Sequence, residues 1–202
     1  DYSISKNFSF YKFAPRSYLI FLGFVLGFAL LNSSDMFLLL RAKQTGLHEV
    51  DVLKLYILFN LTFAVSAFPV GKIADRLNKT FVLCFGFLLY AATYLLMALF
   101  DSTAFIVASF ILYGLYYACT QGITKALLIE KVSADQKSNA VGFYEGFNSI
   151  SLMIANALAG FIWYHYGGKE MLLYTGIGAT LIAILLFTAS RPNRLLAGKI
   201  PC

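Results

Sequence analysis

The chain has 202 residues, of which 59% are hydrophobic and only 13% are charged. A soluble globular domain carries about 25% charged residues, so this composition excludes an ordinary soluble fold and is typical of a membrane protein. The formal net charge is +6, but no basic stretch is interleaved with exposed aromatic residues as a nucleic-acid surface requires, so we expect no nucleic-acid partner.

Six apolar stretches are long enough to cross a bilayer as helices, which takes about 20 residues each. The stretches are continuous and lack the alternating pattern of barrel strands. The sequence therefore predicts an all-α membrane protein, a six-helix transmembrane bundle over residues 17–190. The predicted spans are residues 17–40, 52–70, 81–100, 103–124, 138–163 and 171–190. We expect residues 1–16 to form a juxtamembrane or linker segment and residues 191–202 to form a tail.

The distribution of Lys and Arg predicts the orientation of the bundle. If the connection after the second span is cytoplasmic, only Arg41, Lys43, Lys54 and Lys169 fall on the outer side, and the other 12 of the 16 basic residues fall inside. Basic residues favour the cytoplasmic side of membrane proteins. The pattern therefore predicts an integral multi-pass protein with both termini in the cytoplasm.

The connection between the second and third spans, residues 71–80, is predicted to be a short charged loop. It reads Gly-Lys-Ile-Ala-Asp-Arg-Leu-Asn-Lys-Thr. This loop resembles motif A of the major facilitator superfamily, whose pattern is Gly-x-Leu-x-Asp-Arg/Lys-x-Gly-Arg/Lys-Arg/Lys. Four positions match the pattern: Gly71, Asp75, Arg76 and Lys79. The resemblance implies a family of twelve-helix secondary transporters, each built from two six-helix halves.

Two departures from the motif favour the second, more degenerate copy of this loop. Asn78 stands where a glycine belongs, although Asn tolerates the left-handed backbone that glycine adopts, and Thr80 replaces a base. Residues 32–42 resemble the outer end of a seventh helix in bacterial members, and residues 125–160 resemble the connection of helices ten and eleven. The resemblance thus implies the C-terminal half, helices seven to twelve, in a plasma membrane of the bacterial inner-membrane type. Its implied partner is the N-terminal six-helix half.

The resemblance also implies that residues 71–80 act as a cytoplasmic gating loop. The Asp75 carboxylate would meet a helix N-terminus in the other half, and Arg76 and Lys79 would meet Glu130 or Asp135 on the same side. Alternatively, the bases only anchor the loop to anionic lipid headgroups. We favour a gating role for Asp75 and Arg76, and headgroup anchoring for Lys79.

Polar side chains inside the spans are candidates for a cavity, because such groups are costly at bilayer depth and face a cavity or another helix. They recur at helical spacing on the fourth and fifth spans. The candidates are Asn32, Asp35, Tyr56, Asn60, Tyr113, Tyr117, Gln121, Glu145 and Asn148, with Tyr116, Thr120, Thr124, Ser149 and Asn156 on the same faces. In the superfamily the first, second, fourth and fifth helices of each half line the central cavity, which matches these stripes. The alternative is a purely structural role, in which the Tyr and Asn side chains form hydrogen bonds between helices.

The expected role of each polar candidate depends on how deep it lies in the membrane. We expect Tyr113 and Asn148, near mid-depth, to contact substrate. Asp35 lies near the outer interface, where a substrate contact and a hydrated helix-end group paired with Arg41 are equally consistent with the sequence. Glu145 is deep enough for proton coupling, although pairing with a basic neighbour is the preferred interpretation.

No pattern of catalytic or metal-binding residues is visible. The three cysteines, Cys84, Cys119 and Cys202, lack paired spacing, and His48 and His165 are isolated, so we expect no disulfide framework, cofactor or metal. No nucleophile elbow, zinc motif or phosphate-binding glycine loop occurs. The sequence does not predict an enzyme.

We therefore hypothesise that the chain is part of a secondary active transporter, which moves a small solute across the membrane by alternating access. Its partners would be membrane lipids, an unspecified small-molecule substrate and the absent half, with proton coupling as an option. The alternative is a six-helix membrane protein that homodimerises or serves as a non-transporting scaffold or receptor. The residues alone do not separate one substrate class from another.

Overall fold

In the computed structural model of the chain, the described residues are Phe10 and residues 14–190. They form seven α-helices, a short 3₁₀ turn at Ala134–Gln136, and no strand within that part of the chain. The helices are α1 (Arg16–Ala29), α2 (Met36–Gln44), α3 (Glu49–Arg76), α4 (Lys79–Leu99), α5 (Thr103–Ile129), α6 (Lys137–Tyr166) and α7 (Gly168–Ala189). The predicted tail, residues 191–202, and most of the predicted first segment lie outside the described residues.

Five of these helices, α3 to α7, are long and apolar enough to cross a membrane. They correspond to the second to sixth predicted spans, and most extend a few residues beyond the predicted bounds. The all-helical bundle with apolar spans confirms the predicted fold class. Its helices run further than the apolar windows because a helix continues through polar residues at the bilayer surface, where its end groups meet water.

The first predicted span, residues 17–40, is not one helix, which corrects the prediction. The apolar helix α1 has 14 residues, about 21 Å at 1.5 Å per residue, and α2 begins only at Met36. The interruption covers four consecutive polar residues, Asn32 to Asp35, whose short side chains compete for backbone hydrogen bonds and disfavour a helix interior. Averaged hydropathy hides such a short polar insertion.

The interrupted backbone is held by side chains from two neighbouring helices. The Tyr90 hydroxyl donates to the Leu31 carbonyl at 2.8 Å, and the Ser34 amide donates to Asn156 Oδ1 at 2.8 Å. A backbone group without a partner inside a membrane costs several kcal/mol, so these contacts make the break a defined feature of the fold.

Residues 71–80 are also mostly helical, so the predicted loop is corrected. Helix α3 continues through Gly71 to Arg76, and Leu77 is extended with φ −97° and ψ 176°. Asn78 then starts α4: its backbone is extended, with φ −69°, and its side chain accepts from the Thr80 amide at 2.9 Å. Asn78 therefore serves as an N-cap, not as a left-handed substitute for glycine.

The centre of the bundle is α4, which packs along both α5 and α7, while α5 also packs along α3. Glycines permit two of these close contacts. A Cβ atom on Gly86 of α4 would lie 2.8 Å from Cys119 Cβ of α5, and one on Gly114 of α5 would lie 2.7 Å from Thr62 Cβ of α3. Small residues at such crossings allow helices to approach within van der Waals contact in a membrane.

Helices α3 and α6 are packed on one side only. In α3 only Leu55, Phe59 and Ala74 are buried, and in α6 most side chains are partly or fully exposed. Helix α6 is tied to α1 by the buried Tyr18 hydroxyl, which donates to the Ala140 carbonyl at 2.7 Å. Helices α3 and α6 therefore each keep a face that no other described helix covers.

Candidate functional site

A cavity of about 360 Å³ lies between α1 with its break, α5 and α6. Six of the nine predicted cavity residues line it: Asn32, Asp35, Tyr117, Gln121, Glu145 and Asn148. The break after α1 supplies Asn32 and Asp35, α5 and α6 supply two side chains each, and α4 adds Phe87 to the wall. The residues come from one face of each helix, as the helical spacing predicts.

Two predicted residues, Tyr56 and Asn60, do not line the cavity. Both lie on the exposed side of α3, where the Asn60 side-chain amide donates to the Tyr56 carbonyl at 2.8 Å. Helix α3 contributes none of the lining residues of this cavity. The prediction for α3 rested on its polar face alone, and in this structure that face is exposed outside the cavity lining.

Tyr113 is also absent from the lining. It is only 1% exposed, with ring-centroid distances of 5.1 Å to Phe59 and 5.2 Å to Tyr117. Its hydroxyl is buried without a hydrogen-bond partner among the described residues. Tyr113 is thus part of the aromatic packing between α3, α4 and α5 that supports the cavity wall from behind.

The cavity contains one ion pair, formed between α5 and α6. Lys125 Nζ lies 2.6 Å from Glu145 Oε1, and both side chains are roughly half exposed. The preferred interpretation of Glu145, pairing with a basic neighbour, describes this arrangement. The pair joins two cavity walls and neutralises both charges at that end of the cavity.

Asp35 occupies the other charged position of the cavity. Its carboxylate accepts from Ser34 Oγ at 3.2 Å, and within the described part of the chain it forms no ion pair. Of the alternatives for Asp35, the pairing with Arg41 is not observed. Arg41 is instead 5% exposed, donates from Nε to the Met97 carbonyl at 3.1 Å, and pairs with Asp101.

Several lining residues extend the predicted stripes. Tyr116, Thr120 and Thr124 from α5 and Asn156 from α6 were recognised on the predicted faces, and all line the cavity, as do Ser33 and Ser34 at the break. Sequence reasoning missed Lys125 and Tyr144. Lys125 follows Gln121 by one helical turn, so its spacing places it on the predicted cavity face. It was missed because its positive charge was assigned to the cytoplasmic end of the span.

The predicted gating residues lie at the junction of α3 and α4, away from the cavity. Lys79 forms an ion pair with Glu130 at the end of α5 and lies 4.0 Å from the Asp75 carboxylate. Arg76 makes no ion pair among the described residues, and a Cβ atom on Gly71 would meet nothing within 4 Å. The base that joins Glu130 is therefore Lys79, not Arg76, and the Asp75 side chain is 77% exposed.

Within the described residues, no group of three or more His, Cys, Asp or Glu side chains is close enough to hold a metal ion. Cys84 and Cys119 are buried free thiols. The arrangement is a polar, water-accessible cavity in an apolar helical bundle. It can solvate and hydrogen-bond a small solute.

Comparisons with known proteins give a consistent result. A family model described as Major Facilitator Superfamily matches residues 19–200. The chain is 30% identical over 181 residues to an uncharacterized MFS-type transporter of Methanocaldococcus jannaschii, covering 87% of this chain and 45% of that protein. It is 24% identical over 162 residues to Monocarboxylate transporter 10 of Rattus norvegicus, covering 76% and 31%. The chain thus spans less than half the length of these relatives.

Proposed function

The chain belongs to the Major Facilitator Superfamily, a family of membrane transporters and not of enzymes, and from this premise we propose that it forms one half of a secondary transporter. In this proposal a small solute crosses the membrane by alternating access, bound in the cavity between α1, α5 and α6. The chain is an integral multi-pass membrane protein, and we place both of its termini in the cytoplasm of a bacterial inner membrane.

The cavity is the observation that carries the proposal. Amide and hydroxyl side chains face about 360 Å³ of open space inside an otherwise apolar bundle, and such groups are expensive at membrane depth unless they line a functional path. Transporter sites are typically found near the midplane, at the interface between repeats and beside interrupted helices. The break between α1 and α2 borders this cavity.

The second half of the path would come from another six-helix unit. The relatives are more than twice as long as their matched segments, which favours another half in the same protein over a homodimer or a scaffold. We accordingly assign the chain to helices seven to twelve. The one-sided packing of α3 and α6 supports the presence of a partner half, because their uncovered apolar faces need a partner surface. The assignment to helices seven to twelve rests on the degenerate motif at Asn78 and Thr80.

A cytoplasmic gate is part of the proposal. The Lys79–Glu130 pair joins α4 to the end of α5, with Asp75 one turn away on α3. In the assembled transporter, the exposed Asp75 carboxylate would contact a helix N-terminus of the other half. Opening toward the cytoplasm would separate that contact while Lys79 and Glu130 keep α4 and α5 together.

The proposal does not specify the chemical identity of the solute. The name of the rat relative points to monocarboxylates, yet the one cavity cation among the described residues, Lys125, is already paired with Glu145. A carboxylate solute would have to displace Glu145. We therefore propose only a small solute at this stage, with Glu145 as the candidate for proton coupling.

Filling the cavity tests the proposal. In proteoliposomes containing the full-length protein, a panel of labelled small solutes identifies one that is taken up, and Asn148→Trp should then reduce uptake at least about tenfold by occupying the site. Leu158→Trp is the matched control, because Leu158 lies on the same helix and is 51% exposed on its apolar side. Uptake that survives Asn148→Trp would place the solute path outside this cavity.

A further inference from the structure

We propose that the cavity recognises solutes that carry a positive charge, with Asp35 as their counter-ion and the Tyr117 ring, which lines the same cavity, as a second contact for the charge. This inference rests on the proposed function, because it names the class of solute that the same cavity takes. It follows from the distribution of charges around the cavity.

The charges that face the cavity do not cancel. Its ionisable side chains, apart from tyrosines, are Asp35, Lys125 and Glu145. Lys125 and Glu145 neutralise each other at 2.6 Å. Asp35 is left as an uncompensated carboxylate, and a carboxylate in a membrane cavity calls for a partner.

Among the described residues, no basic side chain predicted on the outer side is left without an acidic partner. Every base predicted on the outer side already has an acid: Arg41 and Lys169 pair with Asp101, Lys43 pairs with Glu49, and Lys54 pairs with Asp51. Arg41, six residues from Asp35, is buried and also held by the Met97 carbonyl. All four basic side chains are therefore paired with acids other than Asp35.

Local contacts hold Asp35 in position. The Ser34 hydroxyl donates to its Oδ1 atom at 3.2 Å, and the Ser34 amide is fixed by Asn156 Oδ1. The carboxylate is therefore part of the defined break, not of a freely moving side chain. Such an arrangement binds a cation at little additional cost in conformational freedom.

Aromatic rings provide the second contact. Tyr117 lines the cavity and is packed edge-on against Phe59 and Tyr116, with centroids 5.1 Å and 5.2 Å away. The face of such a ring attracts a cation within about 6 Å. An anionic solute would meet Asp35 and Glu145, both of the same sign, and would gain Lys125 only by breaking its existing pair.

Binding of two aromatic probes of opposite charge tests the inference. The full-length protein in nanodiscs is titrated calorimetrically with benzyltrimethylammonium, which is permanently positive, and with benzoate. We expect the cation to bind and benzoate to bind at least about tenfold more weakly. Asp35→Asn should weaken cation binding by about tenfold or more, Asp35→Glu should retain most of it, and Tyr117→Leu should weaken it roughly threefold.

Asp51→Asn is the matched control: it removes the same charge from the first turn of α3, where Asp51 pairs with Lys54 away from the cavity, and should leave cation binding unchanged. Tighter benzoate binding, no cation binding, or cation binding insensitive to both Asp35→Asn and Tyr117→Leu would each overturn the inference. If Asp35→Asn does not fold, two measurements still test the inference: the preference of the unaltered protein for the cationic probe, and the loss of cation binding in Tyr117→Leu. Loss of uptake in Asn148→Trp without cation binding would refute this inference and leave the proposed function standing.

Discussion

Replacing Gly114 with alanine should destabilise the bundle, because α3 and α5 touch at this residue. A Cβ atom there would lie 2.7 Å from Thr62 Cβ, 2.8 Å from the Phe59 carbonyl oxygen and 3.0 Å from the Phe63 amide nitrogen. Two of these three atoms belong to the backbone of α3, so no side-chain rotation relieves the overlap. Overpacking of this kind costs about 1–3 kcal/mol. A domain of this size loses about 2–4 °C of melting temperature per kcal/mol. We therefore expect a melting temperature roughly 2–12 °C below that of a glycine-to-alanine variant on the same helix that lacks this overlap.

Gly122→Ala is the matched control on the same helix. A Cβ atom on Gly122 would meet nothing within 4 Å, and alanine is favoured over glycine in a helix interior by about 1 kcal/mol. Its melting temperature should be unchanged or higher. Thermal unfolding in detergent can be followed with a thiol-reactive dye, since Cys84 and Cys119 are buried until the bundle opens. Equal melting temperatures for the two variants would refute the close α3–α5 contact.

Three further outcomes are expected from other parts of the bundle. Tyr18→Phe removes the hydrogen bond to the Ala140 carbonyl and should cost about 0.5–1.5 kcal/mol, measured as a fall in melting temperature; no fall would mean that α1 and α6 are held by apolar packing alone. The hydrogen bond from Lys169 holds the pKa of Asp101 below its usual value of 3.8. The ionised Asp101 therefore stabilises the fold above about pH 4, and this stabilisation is lost as the pH falls through the lowered pKa. Melting curves from pH 7 to pH 3 should show less acid destabilisation in Asp101→Asn than in the unaltered protein. Glu145→Gln should flatten the pH dependence of uptake if Glu145 carries the coupled proton, whereas an unchanged pH profile would remove it from the mechanism.

The sequence predicted the stripes on α5 and α6 because helical periodicity is a local property. Gln121 and Glu145 reach one cavity from two helices as their spacing indicates. Tyr113 sits one turn before Tyr117 on the same stripe, yet it is buried against Phe59 of α3. Periodicity identifies a face of a helix, but it does not say which neighbouring helix covers part of that face.

The interruption at Asn32 to Asp35 was missed for a different reason. Apolar length predicts where a chain crosses a bilayer, and an average over some 20 residues absorbs four polar ones. The extension of α3 to Arg76 has the complementary cause: charged residues mark where the membrane ends, and a helix continues past that point until its hydrogen bonds are capped. The resemblance named Glu130 as a possible partner of Lys79, and this pair is present. The pairing of Arg41 with Asp101 depends on how a helix and a distant loop meet in space, which no local pattern contains.

The central claim is that the cavity between α1, α5 and α6 opens alternately to the two sides of the membrane. Its most direct test is chemical labelling of a single cysteine at Gln121, in a full-length protein whose native cysteines are replaced, with a membrane-impermeant maleimide added to right-side-out or to inverted vesicles. A cysteine at Leu158, an exposed apolar position outside the cavity lining, serves as the control that we expect to stay unlabelled. We expect Gln121→Cys to be labelled from both sides of the membrane. Labelling from one side only, under every condition, would contradict alternating access through this cavity.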